Sequence, residues 1–404
     1  MRRPRTERRG ETLLAPATVP GVLLSAGEAS GDLHASGVAS AIHALRADWP
    51  LIGIGGPRMS AAGVVLDEDV VSQAVMGFAE VIAHLPRHYA LLRRARHQLR
   101  SGSVGLLICV DYPGFNMKLA AAARDAGVPV LYYITPQVWA WGARRLPQLA
   151  RIITKAAVIL PFEEPLLRQH GIDATFVGHP LLDRAQTLPT RAAARAQLGL
   201  GETDRVLALF PGSRAQEVER HLDAFVAAAR VVESRLPGLR VVVGEGPGVR
   251  IDRAQCPYPV VASSSFVLFR AADAALCKSG TTTLEAAVAG CPLVVGYRTS
   301  VWTYALARRM VTIPRIALVN VLAGRALAPE FVQHALEPRA VADALVPLLD
   351  PTSAIRAATV RGLDEVRAQL GEPGAATRVA ALAVALAEGR AAVPTTTGAG
   401  SGAR

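Results

Sequence analysis

Two doubly wound α/β units in tandem are the fold class that this sequence predicts. Short continuous apolar runs alternate with helical stretches, as in parallel sheets covered on both faces. The pattern restarts at Val206–Phe210, after Leu188-Pro189 and an Arg/Ala-rich helix. The length of 404 residues is long for one core and suits two domains of roughly 150–200 residues.

In the first half, Val22–Ala26 reads as a strand, Gly27–Asp32 as a polar turn and Leu33–Leu45 as a helix. Further strands are expected at Leu51–Ile54, Leu106–Val110, Val128–Ile134, Ala156–Leu160 and Thr175–Val177. In the second half they are expected at Val206–Phe210, Val241–Val243, Pro259–Val261, Ala274–Cys277 and Leu293–Gly296. The division that results is a basic tail over 1–20, a first unit over 21–185, a second over 186–350, helices over 351–388 and a Thr/Gly/Ser tail over 389–404. Neither tail can support a core.

Two loops carry the most chemical information. Ser279-Gly280-Thr281 turns a buried strand into an Ala-rich helix, where unpaired N–H groups and the positive end of the helix dipole suit an anion. Glu285 follows within the first turn, within reach of ribose hydroxyls. Gly212-Ser213-Arg214 forms a second strand-to-helix turn. Either turn alone is common in this architecture and often binds nothing, and a lone Arg214 is usually a surface charge. Two such loops at strand carboxyl ends, where ligands bind in open α/β sheets, read together as the diphosphate and ribose grips of a nucleotide-sugar enzyme.

Asp111 ends the run Leu106–Val110 at the carboxyl edge of a central strand. There it is placed to take a proton from an attacking hydroxyl. It equally suits capping the next helix or closing an Asx turn before Pro113, the commoner use of such a residue. The first loop, with Glu28, Ser30 and Asp32, is not a G-x-G-x-x-G fingerprint, which weighs against a nicotinamide enzyme. Asn116 and His179 fall near the expected cleft; for a lone histidine, a hydrogen-bonded structural role is the default.

The net charge of +11 favours anionic partners, although Arg2, Arg3, Arg5, Arg8 and Arg9 crowd the tail. Aromatics at 5% and the lack of a recognised motif argue against nucleic-acid binding. No run reaches the ~18–20 apolar residues of a membrane span, and no signal peptide is evident. Cys109, Cys256, Cys277 and Cys291 lack metal-ligand spacing, and three of them read as buried reduced thiols. No metal or cofactor is called for, and a cytoplasmic protein is expected. The residues leave the oligomeric state open, a homodimer included. A basic amphipathic segment over Pro86–Arg100 follows the apolar stretch Val75–Ile82, which includes Met76 and Phe78. Leu85, Tyr89, Leu92 and Leu99 form its expected apolar stripe, with Arg93, Arg96, His97 and Arg100 on another face. Such a helix usually covers a sheet; the sharper reading is a membrane-facing helix whose arginines meet anionic head groups.

Over roughly residues 21–340 the chain resembles the bacterial lipid-A-disaccharide synthases. The resembling strings include Ser25–Asp32, Gly55–Met59, Asp111–Asn116, Pro136–Trp141, Gly178-His179-Pro180, Pro211–Arg214, Ser279-Gly280-Thr281, Leu284-Glu285 and Asn320–Arg325. The resemblance implies a GT-B fold, with two Rossmann-like domains facing a central cleft. It implies inverting transfer from UDP-2,3-diacylglucosamine to 2,3-diacylglucosamine 1-phosphate (lipid X). Asp111 matches the family's general base, which reverses the reading from spacing alone. Arg214 matches a residue needed for activity, and Glu285 and Asn320 match positions that hold UDP. Acylated substrates imply peripheral binding at the cytoplasmic face of the inner membrane, on its anionic leaflet. Other UDP-sugar transferases and UDP-sugar 2-epimerases would share the architecture. Val319 and Ala326 depart from the family pattern around Asn320, and Val243–Ser265 looks short enough to lack a peripheral helix.

Overall fold

The computed structural model describes residues 21–72, 85–246, 249–254, 256–310 and 314–389. Seven strands form the first sheet: β1 (Gly21–Ser25), β2 (Leu51–Gly55), β3 (Val65–Asp69), β4 (Val104–Val110), β5 (Val130–Tyr133), β6 (Lys155–Val158) and β7 (Ala174–Phe176). Their spatial order is β3-β2-β1-β4-β5-β6-β7, with every pairing parallel. The second sheet has six: β8 (Val206–Phe210), β9 (Arg240–Gly244), β10 (Val260–Val261), β11 (Ala274–Lys278), β12 (Leu293–Tyr297) and β13 (Glu330–Val332). Its order, β10-β9-β8-β11-β12-β13, repeats the winding of the first. Each sheet therefore reverses direction once, between β1 and β4 and between β8 and β11, and ligands bind outside the strand carboxyl ends at such points.

Both faces of each sheet are covered over the central strands, which have no polar side to offer. Leu23, Leu107, Cys109 and Tyr132 enter one core, and Val22, Leu24, Ile108, Leu131 and Tyr133 the opposite one. In the second sheet Val206, Ala208, Cys277 and Val295 face one way, and Leu207, Leu209, Leu276 and Val294 the other. All four cysteines are buried free thiols. Burial pushes the Cys291 thiol up to about 12.

The chain passes from the first sheet to the second through Gly178-His179-Pro180 and returns near Leu370. His179 N–H donates to the Leu370 carbonyl at 2.9 Å, Arg378 Nε–H donates to the Val177 carbonyl at 2.8 Å, and Gly374 N–H donates to the Asp183 carboxylate. The last helix, Ala375–Ala387, then packs on the helix Ala29–Leu45 of the first unit: Val379, Ala380 and Ala383 join Val38, Ala39 and Ile42 in one core.

Three expectations change. The helix after β1 starts at Ala29, so Ser30 and Asp32 lie in its first turn and not in a loop. The helix Leu85–Arg100 buries Leu92 and Leu99 as expected, with Leu91 and Ala95 beside them, whereas Tyr89 is 63% exposed with the Lys118 ammonium over its ring. Two strands, β3 and β13, were not expected at all. Met76 and Phe78 lie outside the described residues. Among the described residues between β9 and β10 no helix forms.

Candidate active site

On the second sheet, β8 delivers Pro211–Arg214 to the start of helix Ala215–Arg235. Gly212 is required by close approach: a Cβ there would lie 2.4 Å from that of Glu217. Glu217 Oε2 accepts from Ser213 N–H at 2.9 Å, and Oε1 accepts from Lys278 Nζ at 2.8 Å. One carboxylate thus ties the β8 loop to the end of β11 across the point where the sheet reverses, and the Lys278 ammonium helps hold that carboxyl below its ordinary range despite burial. One turn on, the His221 ring sits between the Pro211 carbonyl (Nδ1, 2.9 Å) and the Arg298 N–H (Nε2, 2.9 Å). An N–H pointing at Nε2 requires a neutral ring, and burial lowers its pKa in the same sense.

β11 leads into Ser279-Gly280-Thr281 and the helix Thr282–Ala289. Gly280 adopts φ +140°, which favours glycine. The Ser279 hydroxyl donates to the Ile316 carbonyl at 2.7 Å, and that of Thr283 to Gly280 O at 2.9 Å. Glu285 forms an ion pair with Arg184 at 3.0 Å, and the Arg184 guanidinium lies over the Phe266 ring. Asn320 is fully buried: its amide donates to Ala328 O and Glu330 Oε1 at 2.7 Å, and its oxygen accepts from Ala328 N–H at 2.8 Å. It shapes the loop beside Ser279 and does not present its own side chain to the cleft.

On the first sheet, β4 ends in two consecutive residues at positive φ, Asp111 (48°) and Tyr112 (50°). Such conformations cost of order 1–3 kcal/mol each and persist only where the surroundings hold them. Here the Asp111 carbonyl accepts from Asn116 Nδ2 at 2.8 Å and from the Tyr132 hydroxyl at 2.9 Å. Asn116, fully buried, also receives the Ser25 hydroxyl at 2.6 Å. The Tyr112 ring covers Gly27, where a Cβ would come within 2.3 Å of it, and its hydroxyl pairs with His88 Nε2 at 2.9 Å. Burial, and then the negative charge of Glu28, push the Asp111 carboxyl up, while Arg214 draws it down.

The two sheets meet here. Arg214 Nη2 contacts Glu28 Oε2 at 3.0 Å, joining the β8 loop to the β1 loop across the cleft, with both side chains more than half exposed. An exposed pair of this kind contributes about 0–1 kcal/mol, so an anionic ligand can displace it. Glu28, Asp111 and Arg214 therefore stand as one electrostatic group. Asp32 is turned away: its carboxylate accepts from the N–H groups of Gly56, Arg58 and Met59, each at 3.0 Å, and caps the helix Pro57–Ala61. His179 is buried and its Nδ1 accepts from Leu181 N–H at 3.2 Å, the structural role expected by default. Ser30 is exposed at the helix start. Sequence reasoning gave no role to Glu217, Lys278, His221 and Tyr132, although Lys278 opens the informative Ser279 stretch and Glu217 sits at the third helical position after Arg214, where a capping carboxylate is expected.

Two Rossmann-like sheets with their reversal points opposed across a cleft make this an α/β protein of the GT-B class. The same fold is seen in the calicheamicin glycosyltransferase CalG4, at TM-score 0.58 and 19% identity, covering 93% of this chain and all of that one. It is also seen in a UDP-N-acetylglucosamine 2-epimerase assigned as such in Listeria monocytogenes, at TM-score 0.61 and 11% identity, with 92% and 98% covered. Residues 22–383 match the lipid-A-disaccharide synthetase family, and the chain belongs to that family. The lipid-A-disaccharide synthase of Trichlorobacter lovleyi is 39% identical over 374 residues, 91% of this chain and 97% of that one. That of Myxococcus xanthus is 38% identical over 368 residues, with 89% and 96% covered.

Proposed function

We propose that the protein condenses UDP-2,3-diacylglucosamine with 2,3-diacylglucosamine 1-phosphate to give the β-1,6-linked disaccharide 1-phosphate and UDP. Family membership over nearly the whole chain supports the reaction. The observation that carries the assignment of roles is the grouping of Asp111 with Glu28 and Arg214 between the two sheets. The acceptor hydroxyl attacks the anomeric carbon as the bond to UDP breaks, and its proton passes to Asp111. Arg214, released from Glu28 by the donor, balances the departing diphosphate together with the N–H groups of Gly212, Ser213 and Ser279-Gly280-Thr281. Glu285 leaves Arg184 to hold the ribose, and Asn320 keeps the neighbouring loop in shape. Residues 21–185 serve the acceptor and residues 186–350 the donor. A 2-epimerase would share the nucleotide loops but belongs to another family.

The direct test is to incubate the purified protein with both diacyl sugars and follow UDP and disaccharide. Asp111→Asn should lower turnover by about 10²–10⁴-fold with UDP binding retained; a near-wild-type rate would remove Asp111 from the mechanism. Chelator should leave the activity intact, and loss restored only by added divalent metal would contradict a metal-free mechanism.

Among the described residues no helix is long and apolar enough to cross a membrane. Acylated substrates nonetheless require a bilayer surface, and the exposed Arg93, Arg96 and Arg100 of helix Leu85–Arg100 support docking there. Each such charge contributes about 1 kcal/mol near an anionic surface. Replacing all three with Gln should weaken binding to anionic vesicles; unchanged binding would leave this an ordinary covering helix.

A further inference from the structure

Trp302 is the most exposed large apolar residue described in the chain, at 87%, and its neighbour Val301 follows at 78%. Single exposed apolar residues are ordinary. These two are adjacent, and hydrogen bonds pin the turn that presents them. They open the helix Val301–Met310, whose start is capped by Ser300: its Oγ accepts from Thr303 N–H at 3.1 Å. The segment before the cap is anchored twice, by Arg298 N–H to His221 and by Thr299 N–H to Gln333 Oε1 at 2.8 Å. Because every strand of the second sheet is parallel, the exit of β12 lies on the same edge as the loops holding Arg214 and Ser279. The apolar pair thus stands at the mouth of the cleft.

Charge selects the occupant. From Ala286 to Pro329 the sequence has no Asp, Glu or Lys; of its arginines, Arg325 is paired with Glu365, and among the described residues no ion pair is seen for Arg298 and Arg315. A second copy of this segment would bring like charges, Arg298 and Arg315, against each other with no acid in the segment to offset them, which disfavours self-association. An exposed Trp in a segment that holds arginines and no acid matches the interface of an anionic bilayer, where the indole sits at headgroup level and guanidinium groups meet phosphates. We propose that Val301 and Trp302 enter the headgroup–acyl boundary of an anionic lipid bilayer, so that the donor-side unit also touches the membrane. This rests on the acylated-substrate reading above and extends it to the second unit.

The test uses the full chain and vesicles of phosphatidylcholine alone or mixed with phosphatidylglycerol. Wild type should bind the anionic vesicles more tightly. The double variant Val301→Ser/Trp302→Ser, altered only at exposed positions, should bind them about 10-fold more weakly. Brominated acyl chains should quench wild-type fluorescence, and the bilayer-dependent part should vanish in Trp302→Phe. Equal vesicle binding by the double variant, or quenching that survives Trp302→Phe, overturns the proposal. A change in sedimentation mass without lipid, with vesicle binding unaltered, would assign the surface to a second copy and also overturn it. Transfer between short-chain, detergent-dispersed sugars separates the two readings: it should persist in the double variant, and its absence from wild type would count against the activity and not against the docking surface.

Discussion

Replacing Asn116 with Asp isolates what holds the strained turn at Asp111. The change keeps the size of the side chain and keeps an acceptor for the Ser25 hydroxyl. It swaps the amide donor for an oxygen that faces the carbonyls of Ser25 (3.2 Å), Val110 (3.3 Å) and Asp111 (2.8 Å). With no exposure to water, an ionised carboxylate among three carbonyls is strongly disfavoured, and a fully buried carboxyl is typically raised by ~3–5 units. The sign follows from linkage: a group whose folded pKa exceeds its unfolded value contributes stability below the unfolded value and loses it as pH rises. Protonated, the new carboxyl can still donate to the Asp111 carbonyl. Between its unfolded pKa near ~4 and neutrality the variant should therefore lose about 1.4 kcal/mol per pH unit against wild type, reaching about 4 kcal/mol. Urea unfolding at a series of pH values measures this difference directly. A variant as stable as wild type at neutral pH, or a deficit that does not grow with pH, would refute the reasoning.

Glu28→Gln removes the neighbouring charge that helps raise the Asp111 carboxyl, so the acid limb of the pH–rate profile should move to lower pH; an unmoved limb would mean that the two groups are not coupled. Glu163, buried beneath the Trp139 indole N–H (3.0 Å) and the Leu160 N–H (3.1 Å), has its carboxyl raised by burial to about 7. Its contribution to stability is complete below pH 4.5 and is lost as pH rises through about 7, a fall of about 3 kcal/mol. Glu163→Gln should flatten the pH dependence of unfolding in that window, and an unaltered slope would place its origin elsewhere.

Eleven of the strands were legible because continuous apolar runs have no other use in a doubly wound sheet. The two that escaped, β3 and β13, lie at sheet edges, where one side is wet: Val65–Asp69 carries three acids and Glu330–Val332 spans three residues, so neither has a buried-strand pattern. The cleft loops were legible from strand ends rich in Gly, Ser and Thr. The division of labour within them was not. Asp32, Asn116 and Asn320 look like ligand-facing polar residues in the sequence, but the chain encloses them and engages their polar atoms internally. The converse holds for Tyr132, which reads as one more apolar strand residue. Its hydroxyl contacts Asp111 only because β4 and β5 are adjacent, and pairing partners are not encoded locally.

The closing helix Ala375–Ala387 has a consequence for how the molecule is made. Val38, Ala39 and Ile42 are synthesised more than three hundred residues before Val379, Ala380 and Ala383, which cover them. During elongation the first unit must wait with an apolar strip open to water, while the second unit is completed behind it. A ribosome-stalled chain ending before Gly374 should accordingly bind hydrophobic probes and chaperones that the finished chain ignores. The order of synthesis and the order of completion are reversed, and a nonsense mutation within the helix Ala375–Ala387 would strike the first unit.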